Sequence, residues 1–406
     1  MSDTRGASAG DPSAGPTPEA VLEADVAVVG AGIAGASLAF ELARMGVRCV
    51  LLERESQPGY HTTGRSAAVY APLYGNRPVR ALTRASRPFY DAPPAGFADR
   101  ALLTPRAGLF YASRAQQQAL ERFGDEMAAE GRVRMLRNSA ELQAQVPVLR
   151  EQAATMGLLD ASCSDIDVHA LLQGYLRGAR RAGTVLLTGF DAGAHVTRSH
   201  DGFELSRPRR AGAPDATRVR APVVAVCAGA WADPLAAAFG AAAPGIEPRR
   251  RTAIVFEPVA GPLPADAPLA ISIVEDVYFR PEAGRVLASP ADETPSPPCD
   301  AQPEELDVAV LIDRLQRDTT MVVRRITGRW AGLRSFAADR SPVVGFDPVV
   351  NGLYWMVGQG GYGIQMAPAL AQFAASQIAG RALPGHVRDE GLDAALVAPG
   401  RVMTQG

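Results

Sequence analysis

The chain has 406 residues, 47% of them hydrophobic and 21% charged, with a formal net charge of −2. That length can bury a large core and supports about two domains. The near-neutral balance leaves no electrostatic footprint for nucleic acid or an anionic membrane, and all 41 basic residues are arginine, so no lysine can serve as Schiff base, general base or oxygen-activating cation.

Residues 1–20 are rich in Ser, Ala, Gly and Pro and lack a basic n-region and an apolar h-region. They read as a disordered leader rather than a signal peptide. Val26, Val28 and Val29 then form an apolar β-branched run into Gly30, Gly32 and Gly35, the G-x-G-x-x-G spacing of a strand-to-helix turn. The first glycine makes the tight turn, the second lets a pyrophosphate reach the backbone, and the third lets the helix pack on the strand. Leu38, Leu42 and Ala43 continue the helix, Gly46 suits its C-terminal end, and Val47 to Leu52 is a second strand. It ends at Glu53, an acid placed to hold a ribose hydroxyl, so this stretch predicts dinucleotide binding.

The following segment, through Thr62, Thr63 and Ser66, is irregular, and its small hydroxyl residues suit a close phosphate; Arg65 or a helix beginning near Ser66 would add positive potential. An ordinary surface loop explains the same spacing equally well. A helix is expected after residue 77, a strand at Leu109 to Tyr111, an amphipathic helix over 114–130, and a short helix capped by Ser139. Asp167 should cap a stronger helix with Leu171, Leu172, Tyr175 and Leu176 on one face. Val185 to Leu187 reads as a strand, Phe203 to Leu205 and Arg218 to Arg220 as antiparallel strands around a loop at 209–216, and Val223 to Val226 as a buried strand entering Ala228-Gly-Ala-Trp231. From 250 to 290 the pattern becomes β-hairpins, followed by a proline-rich loop at 291–303 and a helix over 306–315. Gly328 to Phe336 and Leu353 to Val357 are strands; the second runs into the glycine-rich turn Gly358 to Gln365, which is expected to open a helix whose N-terminus faces something anionic or electron-rich.

Cys49, Cys163, Cys227 and Cys299 are widely spaced, with no C-x-x-C and no metal-ligand spacing, and read as reduced thiols of a cytoplasmic protein with no metal site. No apolar run approaches the ~18 residues of a membrane span.

With these motifs assembled, the chain resembles the FAD-dependent D-amino-acid oxidase, glycine oxidase and sarcosine oxidase family, and within it the bacterial D-arginine-dehydrogenase type. The resemblance rests on Gly30-Ala-Gly-Ile-Ala-Gly35, Glu53-Arg54-Glu55, Gly59-Tyr-His-Thr-Thr-Gly-Arg-Ser-Ala-Ala68, Gln173-Gly-Tyr-Leu-Arg-Gly178, Ala228-Gly-Ala-Trp231, Trp330-Ala-Gly-Leu-Arg-Ser-Phe336 and Gln359-Gly-Gly-Tyr-Gly-Ile-Gln365. It implies an α/β (mixed α+β) fold, a Rossmann-like FAD-binding domain with an inserted, mainly antiparallel β substrate domain. The FAD-binding domain is expected over 21–90, 155–245 and 326–406, and the substrate domain over 91–154 and 246–325. It implies non-covalent FAD, since the tethering cysteine of sarcosine-oxidase-like relatives aligns near Leu333. Cofactor contacts are implied for Gly30, Gly32, Ile33, Ala34, Gly35, Glu53 and Arg54, for Thr63, Ser66, Ala67 and Ala68, for Gly229 and Trp231, and for Gly332, Gly360, Gly361, Tyr362, Gly363, Ile364 and Gln365.

The implied chemistry is hydride transfer from an α-carbon to the flavin, with the substrate carboxylate clamped by Arg251 and Arg334 and helped by Tyr278 and Tyr74. A planar guanidinium fork matches a carboxylate in shape and charge. Departures from the arginine-accepting type define the pocket: Gly108 stands where a glutamate would hold the substrate guanidinium, and Val69 and Ala71 replace a His and a Thr. A buried cation without its partner costs about 3–5 kcal/mol, and ~4 kcal/mol is roughly a thousandfold in affinity. Val69, Ala71, Leu269, Ile271, Gly108 and Gly361 therefore outline an apolar pocket for a small amino acid, in the first instance a D-amino acid with an apolar or uncharged side chain. Missing lysine tilts the expected electron acceptor towards a quinone or other carrier rather than oxygen. Alternatives are an oxidase of glycine, sarcosine or another N-substituted or cyclic amino acid, a flavin monooxygenase or NAD-dependent dehydrogenase on the same fingerprint, and a non-catalytic or RNA-modifying flavoprotein module.

Overall fold

The computed structural model describes residues 21–130, 133–207, 217–259 and 263–403. The expected leader at 1–20 and the whole of the loop at 209–216 lie outside the described residues.

A six-stranded sheet forms the first layer, in the order Val185–Leu187, Cys49–Leu52, Val26–Val29, Val223–Val226, Leu353–Val357, Val343–Phe346. The first five strands are parallel and the last is antiparallel. Val26–Val29 and Cys49–Leu52 are buried at every position, as expected for strands covered on both faces. On one face the helices Ile33–Arg44, Val168–Arg181 and Ala367–Ile378 bury Leu38, Leu42, Tyr175, Leu370 and Phe373 in a common core. On the other, a four-stranded sheet that includes Gly202–Ser206 and Arg218–Ala221 packs Phe203, Leu205 and Val219 against Val224 and Trp355. The strand order reverses at Val26–Val29, so a crevice opens beyond the carboxyl ends of the central strands.

The second layer is a ten-stranded sheet built around Glu247–Pro258 and Val323–Phe336, which run antiparallel along almost their full lengths. Alternation gives it two distinct faces. One face buries Ile254, Phe256, Phe279 and Ala288 against the helix Glu305–Asp318. The other carries Arg251, Val255, Leu269, Ile271 and Tyr278 and turns towards the nucleotide layer.

Several local expectations move. Met156–Asp160 is hydrogen-bonded to Gly108–Ala112 and Val133–Leu136, so by strand pairing it belongs to the ten-stranded sheet rather than with the segment beginning at 155. Val323–Phe336 likewise carries that sheet past residue 326. The short helix at 139–145 is capped by Asn138, whose side chain accepts from Glu141 N, leaving Ser139 as its first residue. No helix begins at Ser66. After the 3-10 turn Thr62–Arg65 the chain goes extended, because Ala68 takes φ +60° and its N–H is held by Ser66 Oγ at 3.0 Å. The glycine turn at 358–365 opens its helix only at Ala367, with Pro368 in the first turn.

Cys49, Cys163 and Cys227 are buried and Cys299 is exposed, all four as free thiols. Burial pushes the Cys49 thiol up to about 12, which keeps it protonated and inert. Among the described residues no group of His, Cys, Asp or Glu could hold a metal ion, and no helix is long and apolar enough to cross a membrane.

Candidate active site

Two of the three fingerprint glycines are required by contact. A Cβ on Gly30, which sits at φ +100°, would lie 2.7 Å from the Cys227 carbonyl oxygen, and one on Gly35 would lie 1.8 Å from the Gly30 carbonyl oxygen. Gly30 lets the chain slip past the end of Val223–Val226, and Gly35 lets the helix rest on the turn. Gly32 instead faces the crevice, where a Cβ would meet the Thr63 hydroxyl at 3.2 Å and no other non-neighbouring atom within 4 Å. Thr63 Oγ1 accepts from Ile33 N at 3.0 Å, joining the 62–68 segment to the helix N-terminus. Glu53 is oriented by two main-chain amides: Ala31 N donates to Oε2 and Glu55 N to Oε1, both at 2.9 Å. Each oxygen keeps a second acceptor position for a hydroxyl. Arg54 lays its guanidinium 4.4 Å over the Trp231 ring.

These groups line one end of a cavity of about 460 Å³. Of the expected cofactor contacts, Gly30, Gly32, Ile33, Ala34, Glu53, Arg54, Thr63, Ser66, Ala67, Gly229, Trp231, Gly332, Gly360, Gly361, Gly363 and Ile364 line it. Four do not, and each has another place. Gly35 packs beneath the turn, and Ala68 turns the chain into the Val69–Tyr70 strand. Tyr362 packs edge-on between Tyr74 and Phe336, while Gln365 accepts from Ala71 N at 3.0 Å and donates to Thr83 Oγ1 at 3.1 Å. The cavity also reaches Phe190 and Asp191, which sequence reasoning missed. They follow the parallel strand Val185–Leu187, and Phe190 N donates to the Glu53 carbonyl at 2.8 Å. Position beyond a parallel strand's carboxyl end was the signal available for them.

At the other end stand Arg251, Tyr278, Arg334 and Gly361. Strand register sets Arg250 apart from its two neighbours, and of Arg249 and Arg251 it is Arg251 that lines the cavity. Arg251 lies opposite Gly332 and Arg249 opposite Arg334, so Arg251 and Arg334 project from the same face of the sheet. Arg250 points the other way and pairs with Asp307 at 2.9 Å and with Glu304. Arg334 lies against Gly361, where a Cβ would come within 2.7–2.8 Å of the guanidinium. Among the described residues it has no ion-pair partner; Nη1 donates to Tyr74 Oη at 3.4 Å. Burial opposes its charge most strongly, yet the hydroxyls of Tyr74, Tyr278 and Tyr362 outweigh it and keep the group protonated. Tyr74 itself lies outside the cavity wall, its hydroxyl between Arg334 and Glu275.

Of the expected pocket residues, Val69, Leu269 and Ile271 cluster with Tyr278, Leu287 and Trp330 into an apolar patch beside the cavity end. Gly108 pairs with Leu269 in the neighbouring strand, and its missing Cβ makes room for Cys163 Sγ, 3.0 Å from where it would stand. Ala71 is buried at Gln365 rather than on the wall.

A nucleotide-type cradle at one end, two guanidinium groups at the other and one cavity lined by both are the features the comparisons meet. The model of the "FAD dependent oxidoreductase" family matches residues 25–377. The chain belongs to that family. It is 25% identical over 414 residues to "FAD-dependent oxidoreductase domain-containing protein 1" of Bos taurus, covering 89% of this chain and 82% of that protein. Its fold is similar to glycine oxidase from Geobacillus kaustophilus, with TM-score 0.78 and 20% identity over 94% of this chain and 100% of that one. It is also similar to L-proline dehydrogenase from P. horikoshii, with TM-score 0.74 and 19% identity over 89% and 96%.

FAD is the family's cofactor, and the residues fit it. The Gly32 position is open where a phosphate needs backbone, Glu53 is aimed by two amides, and a single cavity is lined both by these groups and by Gly332, Gly360 and Gly363. Leu333 lines the cavity where a tether would need a thiol, and the nearest buried thiol on the wall, Cys227, is held protonated by burial. Acid precipitation of the protein should leave yellow supernatant; a yellow pellet would mean a covalent bond.

Proposed function

We propose that the protein oxidises the Cα–N bond of a small amino acid, preferentially a D-amino acid with an apolar or uncharged side chain, to the imino acid. Bound FAD supplies the two-electron oxidant by accepting a hydride, after which water hydrolyses the released imine to a 2-oxo acid and ammonia.

One observation carries the reading. Arg334 is a guanidinium at the cavity end with no carboxylate partner among the described residues, on the same sheet face as Arg251, and Tyr278 lines the same cavity. Burial acts against that charge, and a ligand anion would give it the counter-charge it lacks. A substrate carboxylate would do so, and two fixed points on one carboxylate orient the adjacent C–H bond, which is where positioning contributes most to rate. A substrate amine arriving neutral needs no dedicated base, in keeping with a chain that has no lysine. Two proteins of similar fold add support, since glycine oxidase and L-proline dehydrogenase act on amino acids. The D configuration and the acceptor rest on the motif resemblance and on the missing lysine.

The apolar patch of Val69, Leu269 and Ile271 favours an uncharged side chain, and Gly108 offers no counter-charge to a distal cation. In steady-state kinetics with a dye acceptor, kcat/KM for D-Met, D-Phe or D-Leu should exceed that for D-Arg by about a hundredfold or more. D-Arg well above the three neutral substrates would overturn the specificity, and oxygen turnover at the dye rate would overturn the choice of acceptor.

A further inference from the structure

The two cavity arginines are not electrically equivalent. Arg334 has no ion-pair partner among the described residues, whereas Arg251 donates Nε to the Asp292 carbonyl at 2.8 Å and Nη2 to Glu293 Oε1 at 3.1 Å. These bonds use one edge of the Arg251 fork and leave the Nη1 side for another anion. Glu293 is gripped in turn by Arg340, whose Nη2 lies 2.7 and 2.9 Å from its two oxygens. The loop bearing Glu293 is anchored beside Arg251, because the Asp292 carboxylate accepts from Thr252 N at 2.7 Å and Thr252 Oγ1 at 3.1 Å. Arg340 is fixed as well, with its guanidinium 4.1 Å over the Phe336 ring.

Its 44% side-chain exposure lets solvent screen Arg340. Of the two acids next to Arg251, Glu293 is the one whose side chain bonds it, whereas the buried Asp292 carboxylate faces Thr252 and Arg250. Although burial acts most strongly to raise the Glu293 carboxyl, Arg340, Arg251 and Arg334 together hold it below its ordinary value, so the resident anion persists at neutral pH.

The geometry points to Glu293 as a specificity-determining counter-ion: by cancelling one of the two cavity charges, it makes the site a receptor for one carboxylate and disfavours substrates with a second acidic group. This rests on Arg251 and Arg334 being the carboxylate receptor. Glu293 is a positioning residue, acting through Arg251 rather than on the reacting atoms.

The test is ligand binding to the flavin-loaded protein, read as perturbation of the flavin absorbance by acetate and by malonate. In Glu293→Gln, malonate should bind about tenfold tighter than in the unaltered protein and acetate only about threefold, since a dianion gains more from the lost repulsion. Arg340→Gln should act in the opposite sense and weaken both about threefold, because Glu293 then gives its whole charge to Arg251. A purely structural Glu293 would weaken both ligands when altered. Unchanged or weaker malonate binding in Glu293→Gln overturns the proposal. If that variant does not fold, unchanged or tighter binding in Arg340→Gln overturns it independently. Arg334→Met separates the underlying reading: unchanged acetate binding there refutes the carboxylate receptor itself, whereas weakened binding there with no gain in Glu293→Gln refutes only the counter-ion role.

Discussion

Replacing Arg334 by methionine is expected to lower kcat/KM for the best amino acid substrate by about a thousandfold. Methionine keeps an unbranched apolar stem but removes the guanidinium, which is the part that lies against Gly361, so the charge is lost with limited disturbance of the strand. A substrate carboxylate would then enter the cavity end with only Arg251 to meet it, and Arg251 is already half committed to Glu293. Breaking a buried charge pair by removing one partner costs about 3–5 kcal/mol. Arg334→Lys should recover only a small part, because an ammonium restores the charge without the fork. The loss should fall on both KM and kcat, since the same contact orients the C–H bond. A methionine variant within tenfold of the unaltered enzyme would remove Arg334 from substrate binding.

The second large effect belongs to the other end of the cavity. Gly35→Ala places a Cβ 1.8 Å from the Gly30 carbonyl oxygen, a contact neither backbone can relieve without lifting the helix Ile33–Arg44 off its turn. Overpacking of this kind costs about 1–3 kcal/mol and occasionally more, and here it also displaces the amides and the Thr63 contact that shape the cradle. The expected variant is isolated without flavin and melts well below the parent. Gly46→Ala is the matched control: it also changes a glycine of this unit, at φ +83°, but its Cβ would meet nothing within 4 Å. It should cost about 1 kcal/mol of backbone strain and retain the yellow colour. Equal behaviour of the two variants, followed by thermal release of flavin fluorescence, would contradict this account of the turn.

Both predictions show what local sequence could and could not reveal. The strand, glycine turn, helix, strand and acid at 26–53 are contiguous, so their pattern was readable in order. The Glu53 carboxylate is aimed by Ala31 and Glu55, and those too are near in sequence or motif. The substrate end is assembled from distant segments. That Arg251 rather than Arg250 shares a face with Arg334 depends on pairing between strands about eighty residues apart, and a shift of one residue would exchange the two. The motif match selected Arg251, but its partner Glu293 lies in a proline-rich loop with no local pattern that points to it. The turn at 358–365 was read as a helix start from its glycines. In the fold Gln359–Gly360 first pairs with Ser335–Phe336, and Gly360, at φ +55°, packs against the Phe336 ring, a long-range contact with no local signature. Ser66 failed as a helix start for a similar reason: Arg280, more than two hundred residues away, holds the Ala67 carbonyl at 3.3 Å and helps keep the segment extended.

The central claim is that one cavity joins a flavin to a receptor for an amino acid carboxylate. Anaerobic addition of small neutral D-amino acids, their L and N-methyl counterparts, and NAD(P)H to the purified yellow protein tests it directly. Rapid, stoichiometric bleaching of the flavin by a neutral D-amino acid, with none by NAD(P)H, is the expected result. Bleaching by NAD(P)H while every amino acid leaves the flavin oxidised would contradict it.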